Sequence, residues 1–331
     1  MLLLGQGNAF QIRCSKTTLA HHLVCTLNNH MRYSGVVCAA ARNYFMLTRR
    51  GFNYGLLGAA FGTAADLSFA NAGTLEVRPP RGYHLAWHDE FSRDGRPNPH
   101  NWGYEHGFVR NHELQWYQPQ NATCRGGRLI IEARRQKVLN THYQPGNPLW
   151  KYSRKFANYT SASLTTRGKH SWKYGIFAMR GRIDIRQGLW PAWWTLGISK
   201  PWPACGEIDI MEYYQGHINA NVAWQNANGS AHWKSKFTHI SSLHDPHWAR
   251  EFHLWVMHWE PTFIRLYLDG HLYNHVDLKH TLDPRFNNFN PFHQPVFMIL
   301  NLAVGGAALS PAHTRFPGRF EVDYVRIYQR H

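Results

Sequence analysis

Acidic residues are scarce in this 331-residue chain: 20 Asp and Glu stand against 36 Lys and Arg, a formal net charge of +16. Such a surface raises nucleic acid, an anionic membrane or an acidic polysaccharide as partners. The basic residues are scattered, however. There is no run of five Lys or Arg and no helix-turn-helix, zinc-finger or aromatic nucleic-acid signature, so no nucleic-acid partner is expected. Cysteine is scarce too, with Cys14, Cys25, Cys38, Cys124 and Cys205. No Cys-x-x-Cys zinc pattern occurs. Whether Cys124 and Cys205 pair depends on the fold bringing them together, and the sequence leaves that open. No segment reaches 18 apolar residues, so no membrane span is expected. Beyond about Leu75 there is no linker, repeat, low-complexity run or long helical apolar period.

Aromatic residues are abundant instead, with 14 Trp, 16 Tyr and 18 Phe. A large aromatic core absorbs many of them. Flat aromatic faces also serve proteins that stack on sugar rings or nucleobases.

Residues 1–45 hold four basic residues, no acidic ones and three of the five cysteines. They read as an upstream extension, disordered or not translated, with Met46 as the initiator. Thr48-Arg49-Arg50-Gly51-Phe52 then resembles a bacterial twin-arginine pattern. A short apolar stretch, Gly55 to Ala65, and the triplet Ala70-Asn71-Ala72 follow. Residues 46–72 therefore read as an export signal, and the location expected is periplasmic or extracellular. Residues 73–331 read as one domain. Removing the four upstream positive charges and the one net charge of the signal from +16 leaves it +11.

Within that domain the apolar pattern has period two. Phe252 to Trp259 alternates, Phe263 to Leu268 continues, and Asp269-Gly270 separates it from His271 to Val276, a hairpin signal. Arg128–Ala133, Ser161–Thr166, Gly175–Ile185, Val296–Leu302 and Phe320–Tyr328 also read as strands. Many short strands predict an all-β, antiparallel sandwich.

The segment Glu207-Ile208-Asp209-Ile210-Met211-Glu212 places three acids in an apolar, strand-like run. Acids are depleted in strands, and aligned like charges repel. Glu207 and Asp209, two apart, share one face, while Ile208 and Ile210 face the core. In a regular strand Glu212 would point with the isoleucines, at a high desolvation cost. A β-bulge near Met211 would turn it back to the side of Glu207. Glycoside hydrolysis needs such a pair of carboxyls, one to attack or activate water and one to protonate the leaving oxygen.

Here the sequence resembles glycoside hydrolase family 16, the laminarinase-like group. The family's Glu-x-Asp-x-x-Glu motif is present at 207–212. Trp87-His88-Asp89-Glu90-Phe91 is similar to its opening strand. Asn111-His112-Glu113-Leu114-Gln115, Gly188-Leu189-Trp190-Pro191-Ala192-Trp193-Trp194, Asn301-Leu302-Ala303-Val304-Gly305-Gly306 and Val322-Asp323-Tyr324-Val325-Arg326 resemble further segments, in the family's order. The resemblance covers about residues 83–329.

It implies a jelly-roll sandwich with a concave substrate cleft. It implies Glu207 as nucleophile, Glu212 as acid/base and Asp209 as their helper. It also implies retaining endo-hydrolysis by double displacement, with no cofactor in catalysis. Trp190, Trp194 and Trp224 are expected to meet sugar rings, and Asn111 and Gln294 to hydrogen-bond the glycan. A structural calcium, held through backbone carbonyls and one Asp at Glu90, Gly127 and Asp323, is implied as well. The expected substrate is a β-1,3- or mixed β-1,3/1,4-glucan, and the working unit a monomer. A β-linked, sulfated galactan is the alternative that the charge favours. A transglycosylase and a non-catalytic glycan-binding sandwich complete the alternatives. Ser163 and Trp224 depart from the family pattern, where many relatives carry Arg and some carry His respectively.

Overall fold

The computed structural model describes residues 67–69 and 76–330. The expected extension over 1–45, the twin-arginine pattern and Ala70-Asn71-Ala72 lie outside those residues. Ser68–Phe69, inside the stretch read as an export signal, pairs antiparallel with Val77–Arg78. The sole α-helix among the described residues is the single turn Trp150–Ser153. No helix there is long and apolar enough to cross a membrane.

Fifteen strands build two facing sheets. In chain order they are β1 Tyr83–Asp89, β2 Gly103–Tyr104, β3 Ala122–Cys124, β4 Leu129–Ala133, β5 Ser163–Thr165, β6 Gly175–Ile183, β7 Leu189–Gly197 and β8 Glu207–Tyr214. There follow β9 His217–Gln225, β10 Ala231–His239, β11 His253–Glu260, β12 Phe263–Leu268, β13 His271–Asp277, β14 Val296–Val304 and β15 Gly318–Arg330. The front sheet runs β10, β9, β8, β7, β14, β5, β2. The back sheet runs β13, β12, β11, β6, β15, β4, β3, with β1 also paired to the long β15. All these pairings are antiparallel. The chain is thus an antiparallel β-sandwich of jelly-roll type.

Side-chain alternation assigns the faces. In β7, Leu189 and Trp193 enter the main core, while Ala192, Trp194 and Leu196 form an outer apolar cluster with Phe297 and Ile299 of β14. In β11, Trp255, Met257 and Trp259 meet that core from the back sheet, and Leu254 and Val256 face outward. That outward cluster is covered by Leu67, Phe69 and Val77. Asp269 and Gly270 both take positive φ, 49° and 81°, as a tight two-residue hairpin requires.

Candidate active site

The acid-rich segment is strand β8, in the front sheet between β7 and β9. Its register fixes where each acid points. Leu196 faces Glu207, Thr195 faces Ile208 and Trp194 faces Asp209, but Trp193 then faces Met211. On the other side Asn221 faces Asp209 and Asn219 faces Glu212, so Ile210 and Met211 together oppose one residue of β9. That bulge buries both Ile210 and Met211 in the core. It returns Glu212 to the face of Glu207 and Asp209, and all three line one cleft of about 900 Å³.

Glycine opens the strand. Gly206 has φ of +75°, and a Cβ there would meet Pro291 at 2.9 Å. The preceding loop, residues 198–205, is tied down by Gln294. Its Nε2 donates to the Cys205 carbonyl at 2.9 Å, and its Oε1 accepts from the Ser199 amide and hydroxyl at 2.9 and 2.6 Å.

Each glutamate has its own indole. Trp202 Nε1 donates to Glu207 Oε2 at 2.5 Å, and Trp190 Nε1 donates to Glu212 Oε1 at 2.8 Å. Asn221 Nδ2 bridges the other acids, donating to Asp209 Oδ2 at 3.2 Å and Glu212 Oε2 at 3.0 Å. Burial pushes all three carboxyls up from their ordinary range. Asp209, buried between two like charges, is raised well above its ordinary value. Glu212 is pushed up to about 7, against the pull of the Trp190 and Asn221 donors. Glu207 is raised by burial, while Trp202, Asp209 and the Arg110 guanidinium draw it back.

The cleft floor continues from Trp194, whose Nε1 donates to Asn301 Oδ1 at 2.7 Å. Asn301 in turn donates to the Tyr117 hydroxyl at 3.1 Å. The Arg110 guanidinium lies 5.0 Å from the Trp194 ring centre and is ion-paired to Glu105. Ser163 Oγ donates to the same Glu105 at 2.6 Å, so the departure at Ser163 belongs to a Ser163–Glu105–Arg110 chain. Trp190 stacks near Tyr214, ring centres 5.0 Å apart. The far wall is β10, with Trp233, Ser235 and Phe237.

Of the positions expected at the glycan, Asn111, Trp190 and Trp194 line this cleft. Trp224 does not. It shares the core face of β9 with Val222 and packs edge-on against Phe292, ring centres 6.4 Å apart. Period two puts it opposite Asn221, so a sugar cannot reach it. Gln294 is likewise out of the cleft, its amide spent on the loop. Arg110, Asn221, Tyr214 and Phe237 line the cleft and were not singled out from sequence. Arg110 sits next to Asn111, and that adjacency was the one available signal.

The resemblance implies calcium through backbone carbonyls and one Asp at Glu90, Gly127 and Asp323. Glu90 accepts from Arg326 at 2.8 and 2.9 Å, and Asp323 accepts from Arg180 at 2.7 Å. Gly127 lies in the turn between β3 and β4. Arg180 thus neutralises the one carboxylate of that set, whose other donors would be backbone carbonyls. Calcium at these positions stays an expectation of the resemblance, and its role would be structural. Cys124 and Cys205 are both free and buried.

Residues 117–326 match the family Glycosyl hydrolases family 16. A beta-glucanase of Rhodothermus marinus is 37% identical over 270 residues, covering 75% of this chain and 85% of that one. The catalytic domain of an endo-1,3-beta-glucanase (laminarinase) from Thermotoga petrophila superposes with a TM-score of 0.63 at 30% identity, over 75% of this chain and 98% of that one. A structure described with endo-acting O-glycanases of the human gut microbiota that initiate mucin breakdown gives 0.70 at 30% identity, over 76% and 92%.

Proposed function

The chain belongs to glycosyl hydrolase family 16, and from that premise we propose that it cuts a β-1,3-glucan, or a mixed β-1,3/1,4-glucan, in mid-chain with retention. The supporting observation is the pair Glu207 and Glu212 on one cleft face, with Asp209 between them and a different indole N–H on each.

The reading assigns the roles by environment. Glu207, ionised, attacks the anomeric carbon and forms a glycosyl ester as the C–O bond to the leaving sugar breaks. Glu212, protonated below about 7, gives its proton to the leaving oxygen. It then takes a proton from water, and that water opens the ester and frees Glu207. Asp209, buried and raised well above its ordinary value, hydrogen-bonds Glu207 and draws its pKa back, while burial and the Glu207 charge raise Glu212. Trp190 and Trp194 offer the cleft its apolar floor, and Asn111 at its wall offers an amide for sugar hydroxyls. Names of relatives support glucan. A keratan-sulfate endo-1,4-beta-galactosidase of Sphingobacterium multivorum, 28% identical over 278 residues, supports keeping a galactan as the second reading.

The test is a panel of laminarin, mixed-linkage glucan, agar and carrageenan, with reducing ends counted and the anomer of the first product read by NMR. Release of β-configured ends from laminarin supports the proposal. Cleavage of a galactan alone replaces the substrate but keeps the carboxylates. Substantial turnover by purified Glu207→Ala would sink the assignment altogether.

A further inference from the structure

A single row of residues crosses the front sheet at the level of Glu207. Trp233 of β10 faces Ala223 of β9, and Ala223 faces Glu207. Glu207 faces Leu196 of β7, which faces Phe297 of β14. The next residue in line is Arg167, just beyond β5, with its guanidinium 5.4 Å from the Phe297 ring centre. The backbone register is fixed there by the Thr166 amide donating to the Met298 carbonyl at 3.0 Å. Three strand spacings separate Arg167 from Glu207, about 14 Å. A glycan laid across the strands at the catalytic level therefore reaches Arg167 within a few sugar rings.

Arg167 opens a second cavity of about 380 Å³, lined also by Lys169, His170, Ser171, Ile198 and Phe297. No carboxylate lines it. Lys169 Nζ donates to the Pro99 carbonyl at 2.6 Å, and His170 Nε2 is 3.2 Å from Asn101 Oδ1. The Arg167 guanidinium donates to no protein group among the described residues. With its guanidinium over the Phe297 ring, its N–H groups are left for a ligand. A planar fork of donors beside a second cation is chemistry for an oxyanion.

We propose that this cavity is a subsite for an anionic substituent, a sulfate ester or a carboxylate, carried by the glycan a few rings from the bond that is cut. It rests on the glycan-hydrolase reading above and extends it. It gives a use to a cavity lined by Arg167 and Lys169 on the same sheet row as the acidic catalytic cleft.

Affinity is measured by calorimetry on Glu207→Gln enzyme at low salt, with laminari-oligosaccharides that are neutral, sulfated or oxidised to carboxylates. A charged ligand is expected to bind about tenfold tighter than the neutral one. Arg167→Ala should remove most of that preference, and added salt should shrink it. Whichever charged form is preferred identifies the substituent. Equal affinity for all three overturns the proposal, as does a preference that survives in Arg167→Ala, because the charge is then read elsewhere. Arg167 is exposed, so the variant is expected to fold. Failure of wild-type enzyme to cut laminarin would count against the glucanase reading alone, since the binding comparison uses no turnover.

Discussion

Trp202 and Trp190 give one indole N–H each to Glu207 and Glu212, yet the two carboxyls end in different states because their wider surroundings differ. Arg110 and a hydrogen bond with Asp209 draw Glu207 down, while the charge of Glu207 adds to burial in raising Glu212. With Glu212 raised to about 7, activity should fall as pH rises through that value. A pH profile of kcat/KM tests this, and a flat profile to pH 9 would contradict it. Stability follows the same sign. A carboxyl whose folded pKa is raised contributes stability that is present below its ordinary range and lost as pH rises through the folded value. Glu212→Gln should therefore lower turnover by at least about a hundredfold. It should also flatten the loss of Tm between pH 4.5 and about 7. Arg110→Gln should move the acid limb of the profile upward, because Glu207 loses a stabilising cation, and Arg110→Lys should largely restore it. Since the first variant leaves Glu105 without its partner, Arg110→Gln/Glu105→Gln checks that the shift is not misfolding.

Strand β8 works because it is irregular. The alternation of Ile208 and Ile210 against Glu207 and Asp209 would carry Glu212 into the core, and the acid's cost there is what made a bulge legible in the sequence. Deleting Met211 removes the extra residue and restores one-to-one pairing, Ile210 opposite Ala220, so period two keeps Glu212 on the cleft face. The expected result is a folded protein that retains turnover, with a lower Tm by circular dichroism because a buried side chain is lost. Inserting one residue beside Met211 instead, with the bulge kept, turns Glu212 toward the core and should abolish activity, and normal activity in that insertion would show that the register does not aim Glu212. Strand β10 was not legible. Its sequence, Ala231 to His239, alternates only weakly, with Trp233 and Phe237 split by Ser235 on one face and Lys234 and Lys236 on the other, and most of the strand is exposed. Trp224 misled for a related reason. A tryptophan beside a catalytic strand fits a cleft or a core equally, and only the β8–β9 register places it behind Asn221. Gln294 also looked like a glycan contact, and the folded loop uses all of its amide. Gln294→Ala should reduce kcat by loosening the 198–205 segment that carries Trp202, although the residue never touches the cleft.

At the scale of the molecule, the two sheets meet over a core in which Trp193, Trp255 and Trp259 are fully buried. Trp193→Ala should cost about 3–5 kcal/mol in denaturant unfolding. Trp233→Ala, on the exposed wall, should leave stability nearly unchanged and raise KM. By itself the sequence determined the all-β class, most strands, the DG hairpin, and the three acids of one motif. Those signals are local, since side-chain period and turn chemistry act over a few residues. Only the tertiary structure decided which tryptophans face the cleft, that Arg110 and Ser163 meet through Glu105, that Asp323 and Glu90 are held by arginines, and that Arg167 lies in line with Glu207. Each of those depends on pairing between strands far apart in the chain. Register across a sheet is set by the whole core, and no single segment encodes it.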